Sequence, residues 1–365
     1  MPPKPLTEER KYGTLFGGIL SEKRSMWRFI VGLVVTGVSV FLLIRLIDWD
    51  STANALEAAN PKYIGFAVTC LLLSLVAKTF RWRLLLPAAS RVTRARLYRI
   101  LHISFLLNNV LPARLGDVAR VAMTSKQPDI RVGHVLSSLL TERVTDGLTL
   151  LAGFVLVSPF LPIPDKYASW LHIAWYIIAG VVGAVLLGVF LRRRLGHVAS
   201  AIGHSRFMPG SERLQEEAIS FKEGWRQLFS RDHVLRIWGW SWTAWVGAFA
   251  INYMLMRALH INAPITVAVL LTCTTNLAML IPSSPGYIGV FHAAATLSLL
   301  PFHVAPSSAL SFAILAHLVN VVPVSILGAA FLLWGRETLS INLKALRRER
   351  KELEAEDPVV ATVLE

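Results

Sequence analysis

Six apolar runs, 27–47, 63–82, 132–159, 170–191, 237–256 and 309–334, divide this chain. Each is long enough to cross a bilayer, which takes about 20 residues of helix. That length constrains the fold before any other feature does. Inside hydrocarbon every backbone N–H and C=O must be bonded within the protein, so spanning segments are helices or closed barrels. Continuous apolar runs, rather than alternation every second residue, select helices. The expected fold is an all-α polytopic membrane protein with about six full spans.

A formal net charge of +14 over 365 residues would by itself suggest nucleic acid. Position argues otherwise. Lys4, Arg10, Lys11, Lys23 and Arg24 precede the first run, and Arg81, Arg83, Arg91, Arg94, Arg96 and Arg99 crowd the end of the second. Arg192, Arg193 and Arg194 open the long polar connector 192–236, whereas the connector 48–60 has no Lys or Arg. Basic residues on alternate connectors face the cytoplasm and its anionic leaflet. Both termini are therefore expected inside: a cytoplasmic tail 1–26, a membrane domain 27–334 and a second cytoplasmic tail 335–365. The first run is longer than a signal-peptide core and is expected to remain as a span. No nucleic-acid partner is expected. Cys70 and Cys273 lie within apolar runs with no metal-ligand or disulfide spacing, and no nucleotide, zinc or nucleophile-elbow motif occurs, so no cofactor, metal or catalytic residue is assigned.

Two segments are too interrupted to span. In 97–123, the apolar arm 100–111 is followed by Pro112, Arg114, Gly116, Asp117 and Arg120. The break is expected at Pro112 and Gly116, and basic residues on both sides fit a re-entrant unit that enters and leaves from the cytoplasm. The alternative is an amphipathic helix lying on the surface. In 264–300, two short apolar stretches flank Pro282-Ser283-Ser284-Pro285-Gly286, with a helix expected to restart near Tyr287. This unit either re-enters from outside or makes two crossings. Interrupted segments placed on opposite faces after corresponding spans suggest an inverted repeat with the substrate path between the halves.

Charge inside these segments marks a site. Glu142 lies about 15 Å along the helix that starts near Val132, at 1.5 Å per residue. Arg143 and Asp146 follow, three apart and able to pair. Ionisable groups at that depth face protein, water or a ligand. They are expected to serve either as a buried ion pair that fixes packing or as a site for a charged headgroup or coupling ion. Arg114 and Arg120 could hold a lipid phosphate through forked hydrogen bonds, although Arg120 taken alone reads more simply as an interfacial arginine. After Pro285, Gly286 and Gly289 a helix N-terminus would attract an anion, unless this is a plain extracellular loop. His292 is expected to be either titratable or merely hydrogen-bonded.

Asn109-x-x-Pro112-x-Arg114-x-Gly116-Asp117-x-x-Arg120, then Glu142-Arg143-x-x-Asp146, then Pro285-Gly286-x-x-Gly289-x-Phe291 resemble the lysylphosphatidylglycerol synthase transmembrane family, over about 26–334. The resemblance implies a flippase-like fold with re-entrant helices, in which those positions handle anionic or modified lipids. Tyr287 and His292 stand where that pattern carries a glycine and an acid. With no aminoacyl-transferase domain after Trp334, a stand-alone member is expected. The expected function is a lipid translocase of a bacterial or archaeal cell membrane, with membrane lipids as partners. The alternative is a membrane subunit that presents a polyprenyl-phosphate or glycolipid carrier to a partner transferase.

Overall fold

The computed structural model describes residues 49–88, 90–111, 114–127, 129–162, 231–280 and 285–334. The runs 27–47 and 170–191, both tails and most of the connector 192–236 lie outside the described residues, as do Pro112, Pro282, Ser283 and Ser284.

Among the described residues the fold is helical, without strands. The helices are α1 (Trp49–Glu57), α2 (Pro61–Leu85), α3 (Arg94–Val110), α4 (Leu115–Ser125), α5 (Val132–Val157), α6 (Arg231–Ala258), α7 (Ile265–Ala278), α8 (Val290–Leu299) and α9 (Pro306–Trp334). Of these α2, α5 and α9 are long and apolar enough to cross a membrane. Local chemistry sets several starts. Asn60 caps α2 by accepting from the Lys62 N–H at 3.0 Å, with Pro61 opening the first turn. Thr93 caps α3 in the same way. The connector 48–60 is not plain loop: it holds α1, which packs on α9, where Ser311 Oγ donates to the Thr52 carbonyl at 3.0 Å.

The central seam joins α2 to α6. The Asn60 N–H donates to the Ala258 carbonyl at 2.9 Å, Ser74 Oγ donates to the Ala244 carbonyl at 2.8 Å, and Phe80 stacks on Trp240 at 4.8 Å. Rising numbers on one helix meet falling numbers on the other, so the two run antiparallel. Small residues permit the approach. Ala67, Ser74, Ala77 and Ala244 are buried, and a β-carbon added to Gly247 would come within 3.1 Å of Ser74 Cβ. Since lipid tails are as apolar as leucine, this close packing, rather than exclusion of water, holds such helices together.

Both interrupted segments fold back on themselves. Arg96 donates to Gln127 at 2.7 Å at the open end of the α3–α4 hairpin, and Asn108 donates to Asp117 at 3.2 Å near its tip. α7 and α8 pack together likewise, with Ser298 donating to Thr274 at 2.8 Å. The remaining contacts then pair off. α4 lies on α5 as α8 lies on α9; α3 packs on α9 as α7 packs on α5; α2 meets α3 as α6 meets α7. Exchanging α2–α5 with α6–α9 reproduces the same packing scheme. With α2 and α6 antiparallel, this scheme is the one an inverted repeat would produce.

Two local expectations need correction. Gly116 is not part of the first break, which lies between the end of α3 at Val110 and the start of α4 at Leu115; it lies inside α4, pressed against α3. The second helix restarts at Val290, not near Tyr287. Pro285–Tyr287 form a 3₁₀ turn, and Gly286, Tyr287 and Gly289 have φ of 70°, 58° and 86°. A right-handed α-helix cannot run through left-handed residues.

Candidate functional site

The site begins with one face of α5. Ser137, Thr141, Thr145 and Thr149, four apart, are buried, and each threonine hydroxyl donates to the carbonyl one turn earlier at 2.7–2.9 Å. Hydroxyls satisfied in this way can face a protein interior within a membrane. Glu142 and Asp146 flank this stripe. Arg120 of α4 grips Glu142 with both prongs, Nη1 to Oε1 at 3.3 Å and Nη2 to Oε2 at 2.8 Å, with 2% and 5% of the two residues exposed. Its guanidinium carbon lies 3.7 Å from the Trp82 ring centroid, and the Trp82 indole donates to Ser138 at 3.2 Å.

Asp146 serves two other helices. Arg81 of α2 reaches its Oδ1 with Nη1 at 2.5 Å, and the Trp245 indole of α6 donates to the same oxygen at 2.9 Å. Arg81 Nη1 also donates to Ser241 at 3.0 Å, while its Nη2 lies 3.9 Å from Glu142. Four helices, α2, α4, α5 and α6, thus converge on two carboxylates. Arg143 points the other way. It pairs with Asp117 of α4 at 2.8 Å and keeps 48% of its side chain exposed.

The expected Arg143–Asp146 pair is therefore not formed. On a helix Glu142 and Asp146 share a face one turn apart, while Arg143 is rotated off it toward α4. Arg120 is not an interfacial arginine either; it is buried in a forked ion pair. Sequence reasoning also missed Arg81, which it counted with the cytoplasmic cluster. The signal was there: two acids on one buried face of α5 require more cation than Arg143 can offer.

The two breaks meet. Arg114, at φ 56°, sends Nη2 to the Met279 carbonyl at 2.9 Å, where the C-terminal end of α7 has a partial negative charge. Its guanidinium carbon lies 5.8 Å from the Tyr287 ring centroid. Asn109 donates to Ser325 of α9 at 3.1 Å, and a β-carbon on Gly286 would lie 3.4 Å from the Asn109 carbonyl oxygen. Of the other residues singled out in the sequence, Pro285 and Gly289 shape the turn before α8. The Gly289 N–H reaches His292 Nδ1 at 3.4 Å, and the His292 ring lies beside His317 of α9, with centroids 4.8 Å apart.

Residues 29–328 match the family described as the lysylphosphatidylglycerol synthase TM region. The chain is similar to the protein named glycosyltransferase AglD of Haloferax volcanii, at 27% identity over 327 residues, which is 80% of this chain and 52% of that protein. It is also similar to the UPF0104 membrane protein MJ1078 of Methanocaldococcus jannaschii, at 23% identity over 225 residues, covering 61% of this chain and 91% of that protein. The chain thus spans about half the length of the first relative and most of the second.

Proposed function

Because the chain belongs to the lysylphosphatidylglycerol synthase TM region family, we propose that this membrane protein is a lipid translocase. The headgroup passes through the charged interior while the acyl chains stay in the bilayer. The carrying observation is the meeting of two hairpins, one from each inverted half, through Arg114 and Met279 beside a buried charged cluster. α7 and α8 are 14 and 10 residues long, about 21 and 15 Å, short of a hydrocarbon core of about 30 Å. In this reading both hairpins are re-entrant, and their tips close the path at mid-depth. Asn109, Arg114, Pro285, Gly286 and Gly289 form that closure. The fork of Arg120 is occupied by Glu142, so the headgroup is met by the half-exposed Arg143 with Asp117, while Glu142 and Asp146 hold the cationic wall in place.

Purified protein reconstituted into phosphatidylcholine vesicles is expected to speed the movement of a fluorescent phosphatidylglycerol between leaflets. R143Q is expected to slow that movement about ten-fold, through loss of a charged hydrogen bond. Movement no faster than in empty vesicles, across several anionic headgroups and with an imposed pH gradient, would reject the reading. A second reading is favoured by the glycosyltransferase name of one relative. In it the same cluster holds a polyprenyl-phosphate or glycolipid carrier for a partner transferase. Tight retention of such a carrier without movement, together with stimulation of a co-purified transferase, would select it.

A further inference from the structure

Histidine is the side chain whose ordinary charge change falls within the working pH range of a cell. Three histidines make ring contacts from one described helix to another: His102 of α3, His292 of α8 and His317 of α9. They differ in what holds the ring nitrogens. His102 is fully buried; its Nδ1 is bonded to the Tyr98 carbonyl at 2.9 Å, and its Nε2 is buried without a partner among the described residues. The carbonyl keeps the proton on Nδ1 and the burial closes Nε2 to water. His292 is committed as well. Its Nδ1 accepts the Gly289 N–H at 3.4 Å at the start of α8. A proton on that nitrogen would break the cap, and a cation in the first turn opposes the positive end of the helix dipole. His317 has neither constraint. It lies about 17 Å from the Pro306 end of α9, near mid-depth. Among the described residues its half-buried ring is held by rings alone, His292 at 4.8 Å and Phe291 at 5.4 Å between centroids.

The same stretch of α9 is polar in other ways. Asn320, three residues on and so a surface neighbour of His317, is exposed. Its Nδ2 donates to the Ala316 carbonyl at 2.8 Å, which leaves Oδ1 without a partner among the described residues. Pro323 has no N–H, so the Val319 carbonyl loses its helical bond. Such groups are costly against hydrocarbon and mark a face that adjoins water or protein. Other titratable or charged groups come from the neighbouring elements. α7 offers Cys273, which donates to the Leu150 carbonyl at 3.4 Å; the turn before α8 offers Tyr287 with Arg114 over its ring. α1 offers Asp50 and Glu57, α3 offers His102, and α2 and α6 bring Tyr63 and Tyr253 to the same core. The electrostatic neighbour of His292 is His317 and none of these. The plain alternative is that the three rings only pack. A phenylalanine at 317 would pack as well, without setting ring nitrogens beside an exposed carboxamide.

We propose that His317 is the proton-binding group through which a pH gradient drives transport, with His292 as a neutral ring beside it. The proposal rests on the translocase reading above. The free ring nitrogen of His317 takes a proton from water on one side of the membrane and becomes an imidazolium. It returns that proton to water on the other side, one proton for each lipid moved. Phe291 lies within cation–π reach of the imidazolium, and His292 keeps its cap throughout. The carboxylates of the charged cluster are not available for this role, since Asp117, Glu142 and Asp146 are each held by an arginine.

The test uses wild-type protein, H317Q and H292F in phosphatidylcholine vesicles with fluorescent phosphatidylglycerol. A pH difference of about one unit is imposed, with the membrane potential held at zero by potassium and valinomycin. Wild type is expected to enrich the probe in one leaflet by up to about ten-fold at steady state, the limit for one proton per lipid. Reversing the gradient should reverse the leaflet. H317Q is expected to leave the probe evenly distributed, and H292F to enrich it to within about three-fold of wild type. Wild type that moves the probe without responding to the gradient would overturn the proposal, as would H317Q that still responds. Loss of the response in H292F would overturn the division of roles between the two rings. If H317Q does not fold, H317F keeps the ring and takes its place. If wild type moves no probe, the translocase reading falls by itself, and histidine NMR in detergent decides the proton site. A ring signal that shifts between about pH 5 and 8 in wild type and H292F but is missing in H317Q sustains it, and any other pattern ends it.

Discussion

Replacing Glu142 with leucine is expected to lower stability by about 3–5 kcal/mol, because it strands the guanidinium of Arg120 in the interior. Arg120 has one carboxylate, and Arg81 also lies 3.9 Å from Glu142. The double variant R120M/E142L removes both members of the forked pair and is expected to regain most of the loss, since well-packed apolar replacements of a buried ion pair are often neutral or better. Thermal unfolding in detergent reads both. Equal melting of the single and double variants would mean that the pair is not energetically coupled. The double variant also separates two roles for the pair. A stable protein that still moves lipid would make Arg120–Glu142 a packing device and leave the headgroup to Arg143. A stable but inert one would put the pair in the transport machinery.

Placing a methyl group on Gly116 is expected to be nearly as damaging. The added β-carbon would collide with the carbonyl oxygen of Ser104 and come within 2.6 Å of Asn108 Oδ1. Asn108 can rotate, but the Ser104 oxygen belongs to the backbone of α3 and moves only if the hairpin opens. Overpacking of this kind typically costs 1–3 kcal/mol, and a rigid obstacle puts G116A at about 3 kcal/mol. Gly65 on α2 has nothing within 4 Å of the same position, so G65A should melt with or slightly above wild type. A G116A protein with wild-type melting would show that α3 and α4 do not pack as described.

The helices and the presence of two interruptions were legible because they depend on local chemistry. An apolar stretch such as Ala309–Trp334 reads as helix wherever it sits, and Pro306–Trp334 is one, with Pro323 inside it. The turn before α8 was half legible. Glycine and proline announce a break, but the left-handed φ of Tyr287 delays the helix in a way that composition does not reveal. Helical spacing put Glu142 and Asp146 on one face without saying what that face meets. Their partner Arg81 comes from a helix 61 residues earlier than Glu142 and looked like the last of a cytoplasmic basic cluster.

The matched helix crossings have a mechanical consequence. α4 and α5 are latched by Arg120 and Glu142, while their counterparts α8 and α9 are latched by the rings of His292 and His317. Parting the first pair uncovers two charges in a medium that solvates neither, whereas parting the second can leave both rings neutral. The two corresponding contacts are therefore expected to differ in strength. The α8–α9 pair is accordingly expected to part before the α4–α5 pair. Hydrogen exchange should report the order, with amides of α8 exchanging before those of α4; the reverse order would put the soft joint in the other half.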